Sequence, residues 1–148
     1  MAVELCSRGF QGDIFATAAT RDLARLILQD SAHIQARDQA FLEKRGRPAV
    51  PPLYTGEEAA AALGQFVSVS YRHPFQPAAG TRAVFLDAGH ILGFCQVTLE
   101  VPSGGGSLRL GFSGDLGRKN LPILRDPEPM PPVGESPGSR CTWTAPWR

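Results

Sequence analysis

Between Phe66 and Gly114 the chain carries strand-length runs one after another, with nothing of helical period between them. "FVSVSYR" alternates, "RAVFLDA" is a short apolar run, "CQVTLEV" alternates again, and "SLRLGFSG" follows a "PSGGG" turn. Runs at this spacing predict consecutive strands joined as hairpins, because short glycine turns leave no length for a crossover helix. Upstream, "GDIFAT" has the length of a short strand and "TAATRDLARLILQDSAHIQARDQAFLEKRG" shifts to helical spacing. Leu23, Leu26, Ile27 and Ile34 fall on one face of that helix, Thr17 or Thr20 is placed to cap its start, and Gly46 is placed to end it. "RGRPAVPPLY" reads as a loop and "TGEEAAAALGQF" as a short helix capped by Thr55. Helices set on a mostly antiparallel or mixed sheet place the chain in the α/β class.

At 148 residues, with 43% hydrophobic and 20% charged, the chain fits one soluble domain and not a disordered one. The net charge of +1 gives no bulk attraction to nucleic acid, so any such partner has to be argued from a site. Cys6, Cys95 and Cys141 are widely spaced and form no CxxC pair, which argues against a disulfide framework or a thiolate zinc knuckle and for a reducing, cytoplasmic setting. The opening "MAVELCSRGF" lacks the pattern of a signal peptide, and no run approaches a membrane span.

Two residues stand out chemically. His90 in "DAGHILG" and Asp115 in "FSGDLGR" each end a predicted strand, and glycines flank both. The glycines let the backbone turn sharply and approach a neighbour closely. The two strands are separated by one hairpin strand, so their ends can converge. An imidazole and a carboxylate on one rim suit a divalent metal ion. The residues alone equally allow a strand-end histidine satisfied by backbone and an aspartate that serves a turn. Asp87, three residues before His90, is placed either to orient it or to open the glycine turn. His33 in the helix, His73 before Pro74, and the Arg118–Lys119 pair read as surface or structural residues. No GxSxG elbow, Walker-type loop or arranged catalytic cysteine is present.

Taken together, "RGFQGDIFATAATRDLARLILQDSAHIQ", "FLDAGHILG", "LGFSGDLGRKNLPILRDPEP" and "PPVGES" resemble the metallo-β-lactamase fold, specifically its β-CASP branch of RNA- and DNA-processing nucleases, from about residue 8 to residue 136. The likeness is strongest to ribonuclease J-like and polyadenylation-endonuclease-like members. It implies an αββα sandwich, two zinc ions, and hydrolysis of phosphodiesters in RNA by metal-activated water. It further implies that His90 is a ligand to one zinc, that Asp115 bridges the two, and that Glu135 is similar to the acidic residue opening the family's "ESTYG" motif, where it supports the site.

The departures are as specific. The HxHxDH motif that family members carry just upstream of this region occurs nowhere in the chain, and neither do the β-CASP insert and its later histidine ligand. His90 and Asp115 are thus the family ligands present, short of the three that a catalytic zinc usually receives. The expectation is a partial sandwich, incomplete at both ends: residues 1–126 as part of the core, and 127–148 as a proline-rich connector toward a β-CASP domain with an aberrant tail. Such a piece is expected to be inactive alone and to need a complementing or full-length family subunit. The alternative is a non-catalytic paralogue that binds RNA or a partner. A hydrolase of another ester is disfavoured because "FSGDLGR" with "PILRDP" is characteristic of the nucleic-acid branch. Where relatives continue "ESTYG" and often Leu-His, this chain reads "ESPGSRCTWT". Codons for Cys141 to Thr144 read one base earlier can give Leu-His-Val-Asp, which points to a frameshift near residues 136–140. Phe94 and Cys95 stand where relatives usually have Ser-Ala, and the phenyl ring is expected to crowd the rim.

Overall fold

A computed structural model of the chain describes residues 2–104, 106–135 and 143–144, the last two and Glu135 as main chain only. The architecture is mixed α/β, divided into two compact units, one of Met1–Ala16 with Arg21–Val67 and one of Thr17–Thr20 with Ser68–Arg148. The frameshift expected near residues 136–140 lies outside the described residues.

In the first unit, helix α1 (Ala2–Ser7) packs on α3 (Gly56–Gly64). Val3, Ala59 and Ala62 are buried, and the small alanines let the two helices approach closely. A capping box starts α3: the Thr55 hydroxyl accepts from the Glu58 N–H (3.2 Å), and the Glu58 carboxylate accepts from the Thr55 N–H (2.8 Å). Gln65, just past α3, ties the unit together. Its carbonyl accepts from the Ile14 N–H (2.8 Å), its amide nitrogen donates to Phe10 O (3.1 Å), and its side-chain oxygen accepts from the Cys6 thiol (3.3 Å). Strand β1 (Ile14–Ala16) pairs there with β2 (Phe66–Ser68).

Helix α2 (Ala18–Lys44) runs as the spacing predicts. Gly46 ends it in the left-handed region (φ 63°), with the Gly46 N–H donating to Glu43 O (3.0 Å) and the Arg47 N–H to Leu42 O (3.1 Å). Leu23, Leu26, Ile27 and Ile34 are exposed, and Ala32 is buried. The helix therefore rests on its caps and on good helix formers such as Leu, Arg and Ala as much as on burial. Among the described residues, no helix is long and apolar enough to cross a membrane.

The second unit is built on one sheet. Strands β3 (Arg82–Asp87), β4 (Cys95–Ser103), β5 (Gly106–Phe112) and β6 (Gly134–Glu135) lie in the order β3-β4-β5-β6, all neighbours antiparallel, and β7 (Trp143–Thr144) pairs parallel to β5. In β3 every second residue is buried, and Phe85 meets Phe75 edge to face at 4.9 Å. On the sheet, Glu100 takes Arg109 and Arg82 from the two flanking strands, and the Arg109 guanidinium holds its carboxyl below the ordinary value. The expected strand "FVSVSYR" stops at Ser68. Arg72 enters the left-handed region (φ 61°), and its N–H donates to Phe85 O (2.8 Å), so the chain folds onto the edge of β3 instead of extending β2.

Candidate metal centre

The sheet's topology decides where His90 and Asp115 go. Because β4 lies between β3 and β5 and is antiparallel to both, β3 and β5 run in the same direction. Their C-terminal ends lie at one rim, as the pairings Asp87 with Cys95 and Val97 with Phe112 place them. His90 follows the end of β3 by three residues and Asp115 follows the end of β5 by three. Their side chains meet: Nε2 of His90 lies 3.9 Å from Oδ2 of Asp115. Both are open to solvent, at 42% and 64% exposure, as metal donors that must also admit a substrate would be.

Backbone contact between the two glycine loops sets that meeting. The Gly117 N–H donates to the Ala88 carbonyl (2.9 Å). A β-carbon on Gly117 would collide with the Gly89 carbonyl and lie 2.7 Å from the His90 nitrogen, so only glycine allows the approach. Gly89 itself is at φ 63°, and its α-carbon faces Pro127 and the Arg125 carbonyl. The Asp87 carboxylate accepts from the Gly89 N–H (2.9 Å), the geometry of an aspartate that opens a turn. Phe94 does more than crowd the rim: its ring meets the His90 imidazole edge to face at 5.4 Å and also lies against Gly114, so it spans the two loops.

Two tethers were not visible in the sequence. Thr17 caps α2, its hydroxyl accepting from the Thr20 N–H (3.2 Å), and the hydroxyls of Thr17 and Thr20 both lie within 2.9 Å of Gly93 O, three residues past His90. "TAAT" read only as a helix start because nothing local betrays a partner 76 positions away. The other tether is Glu128, which is hydrogen-bonded to Arg72, Asp87 and Gln96. Beside the rim, a cleft of about 490 Å³ is lined in part by Thr17, Tyr71, Asp87, Ile91 and Arg125. Burial, with the Asp87 charge next in effect, pushes the Tyr71 hydroxyl up to about 12 and the Cys95 thiol up to about 11. Both are protonated at neutral pH. Glu135 pairs with Leu108 through the main chain, and its side chain lies outside the described residues.

The donor pair fits part of a zinc site. Zinc–nitrogen and zinc–oxygen bonds of about 2.1 Å at a tetrahedral angle put two donors roughly 3.4 Å apart. The observed 3.9 Å needs only a small closure. A complete site is not assembled among the described residues, where no group of three or more His, Cys, Asp or Glu gathers.

No family model matches the chain. Individual proteins do. It is 28% identical over 124 residues to an endoribonuclease YSH1 of Candida albicans, 28% over 132 residues to ribonuclease TTHA0252 of Thermus thermophilus, and 30% over 106 residues to the transcription termination factor FttA of Thermococcus kodakarensis. The chain is a relative of the β-CASP metallo-β-lactamase-fold RNA nucleases. These matches take in 84%, 89% and 72% of the chain, yet 14%, 26% and 14% of the relatives' own lengths. The mixed α/β architecture is compatible with part of the metallo-β-lactamase fold.

Proposed function

We propose that the chain supplies part of the metal centre of a zinc-dependent β-CASP nuclease acting on RNA, and that it does not hydrolyse RNA by itself. The observation that carries this reading is the convergence of His90 Nε2 and Asp115 Oδ2 at 3.9 Å on a rim held by glycine-to-glycine backbone contact. The names of the relatives, two of them ribonucleases, support RNA as the substrate. Zinc, when bound, would polarise a phosphodiester and furnish hydroxide at neutral pH. His90 would hold one ion through Nε2, and the two oxygens of Asp115 give it the chemistry to bridge a pair. Phe94 limits how the imidazole can turn, Asp87 sets the turn that presents it, and Glu135 would support the site. The remaining donors come from a complementing subunit or from further chain, because two protein ligands fall short of the three usual for catalytic zinc.

Zinc analysis and a cleavage assay on labelled single-stranded RNA test this. The expected result is substoichiometric zinc after desalting and no cleavage. Stoichiometric, tightly held zinc with cleavage that His90→Ala abolishes would overturn the claim of inactivity.

A further inference from the structure

The proline-rich stretch after Asp115 reads as a connector, yet the Glu128 side chain within it is 14% exposed, and the residue touches three separate segments of the unit. Its carboxylate accepts from the Arg72 guanidinium (2.7 Å) and from the Asp87 N–H (3.3 Å). Its own N–H donates to the Asp87 carbonyl (2.9 Å), and its carbonyl accepts from the buried Gln96 side chain (2.6 Å). One residue earlier, Pro127 sits against the α-carbon of Gly89. The segment "DAGH" is therefore gripped from two sides: Gly117 closes on the carbonyls of Ala88 and Gly89, and Pro127 with Glu128 backs Asp87 and Gly89. Arg72 is held in a left-handed conformation uncommon for a residue with a side chain, anchored by Glu128 at one end and the Phe85 carbonyl at the other.

We propose that Glu128 is a positioning residue for the His90 turn: it fixes the end of β3 and thereby the placement of the imidazole relative to Asp115. This rests on the metal-centre reading for its consequence, though the grip itself does not. Partners that orient a metal ligand typically change affinity 10–100-fold when removed. Removing the Glu128 carboxylate leaves the Asp87 N–H and the Arg72 guanidinium without their acceptor, and the turn gains freedom.

The test uses the full chain with Glu128→Ala, Glu128→Gln and Arg82→Ala, the last breaking the Arg82–Glu100 pair elsewhere on the sheet as a control for general destabilisation. Amide hydrogen exchange at Gly89 and Gly117 is measured without metal, and zinc alone is then titrated while the His90 ring resonances are followed, well below the unfolding temperature of every variant. For Glu128→Ala the expected results are exchange at least tenfold faster at both glycines and zinc affinity at His90 weaker by tenfold or more. Glu128→Gln, which keeps one acceptor, is expected to recover part of both, and Arg82→Ala to leave both unchanged. Exchange in Glu128→Ala equal to the parent would overturn the proposal, as would equal zinc affinity or an equal loss in Arg82→Ala. If zinc leaves His90 untouched in the parent, the metal-centre reading fails, and the exchange comparison still decides the grip.

Discussion

Gly117→Ala probes the contact on which the rim depends. The added methyl would overlap the Gly89 carbonyl and come to 2.7 Å from the His90 nitrogen, where ordinary contacts begin near 3.4 Å. The obstacle is backbone on both sides, so no rotamer change relieves it. The two loops must part by at least about 0.7 Å at His90, taking contacts near 3.4 Å as the limit. Overpacking of this kind costs ~1–3 kcal/mol, and loss of the hydrogen bond from the Gly117 N–H to Ala88 O adds ~1 kcal/mol. For a chain of this size a loss of about 2–4 kcal/mol lowers the melting temperature by roughly 10 °C. Carried to the side chains, the same displacement moves Nε2 and Oδ2 from 3.9 Å toward about 4.6 Å, beyond what one zinc can span. Thermal unfolding followed by circular dichroism reads the first effect, and zinc titration reads the second. Gly64→Ala in α3 is the control, since its new methyl meets nothing within 4 Å and should stabilise by ~0.5–1 kcal/mol. A Gly117→Ala protein that melts within about a degree of the parent and binds zinc equally would refute the contact.

Thr17→Val should lower stability by ~1–2 kcal/mol in urea unfolding, because it removes both the α2 cap and a donor to Gly93 O; an unchanged midpoint would contradict the tether. Cys95, with its thiol pushed up to about 11, should have about one thiolate per thousand at pH 8 and alkylate with iodoacetamide far more slowly in the native chain than in urea; mass spectrometry showing equal rates would contradict that burial. Glu100 is held below its ordinary value of 4.5 by Arg109, so its contribution is present above that value and is lost as pH falls through the lower folded one. Arg109→Met should therefore cost more stability at pH 7 than at pH 3, and a difference independent of pH would count against the pair.

Much of the scaffold was legible because it rests on local rules. "RAVFLDA" covers strand β3 and runs one residue past it, "CQVTLEV" falls within β4, and the Thr55 capping box and Gly46 stop are chemistry within a few residues of one another. The rim followed from the same pattern, since two strands flanking a third must end on one side. What escaped is what distance in sequence conceals. Helix α1 is a six-residue element held chiefly by the burial of Val3. "FVSVSYR" alternates to its end, but Arg72 turns because Phe85 and Glu128 hold it, 13 and 56 positions away in the chain. Glu128 sits between two prolines with no periodicity to mark it, and its four hydrogen bonds, to Arg72, Asp87 and Gln96, are all tertiary. Thr17 and Thr20 looked like capping alternatives, when one caps and both reach Gly93.

The central claim, that His90 and Asp115 are two donors to one metal centre, is tested most directly by titrating zinc into the parent chain and into His90→Ala and Asp115→Asn while following ring and carboxylate resonances. The account predicts that His90 and Asp115 signals shift together at one zinc concentration in the parent, and that either substitution weakens binding at the other residue at least tenfold. Zinc that binds with the same affinity in all three proteins, or that moves His90 without moving Asp115, would contradict it.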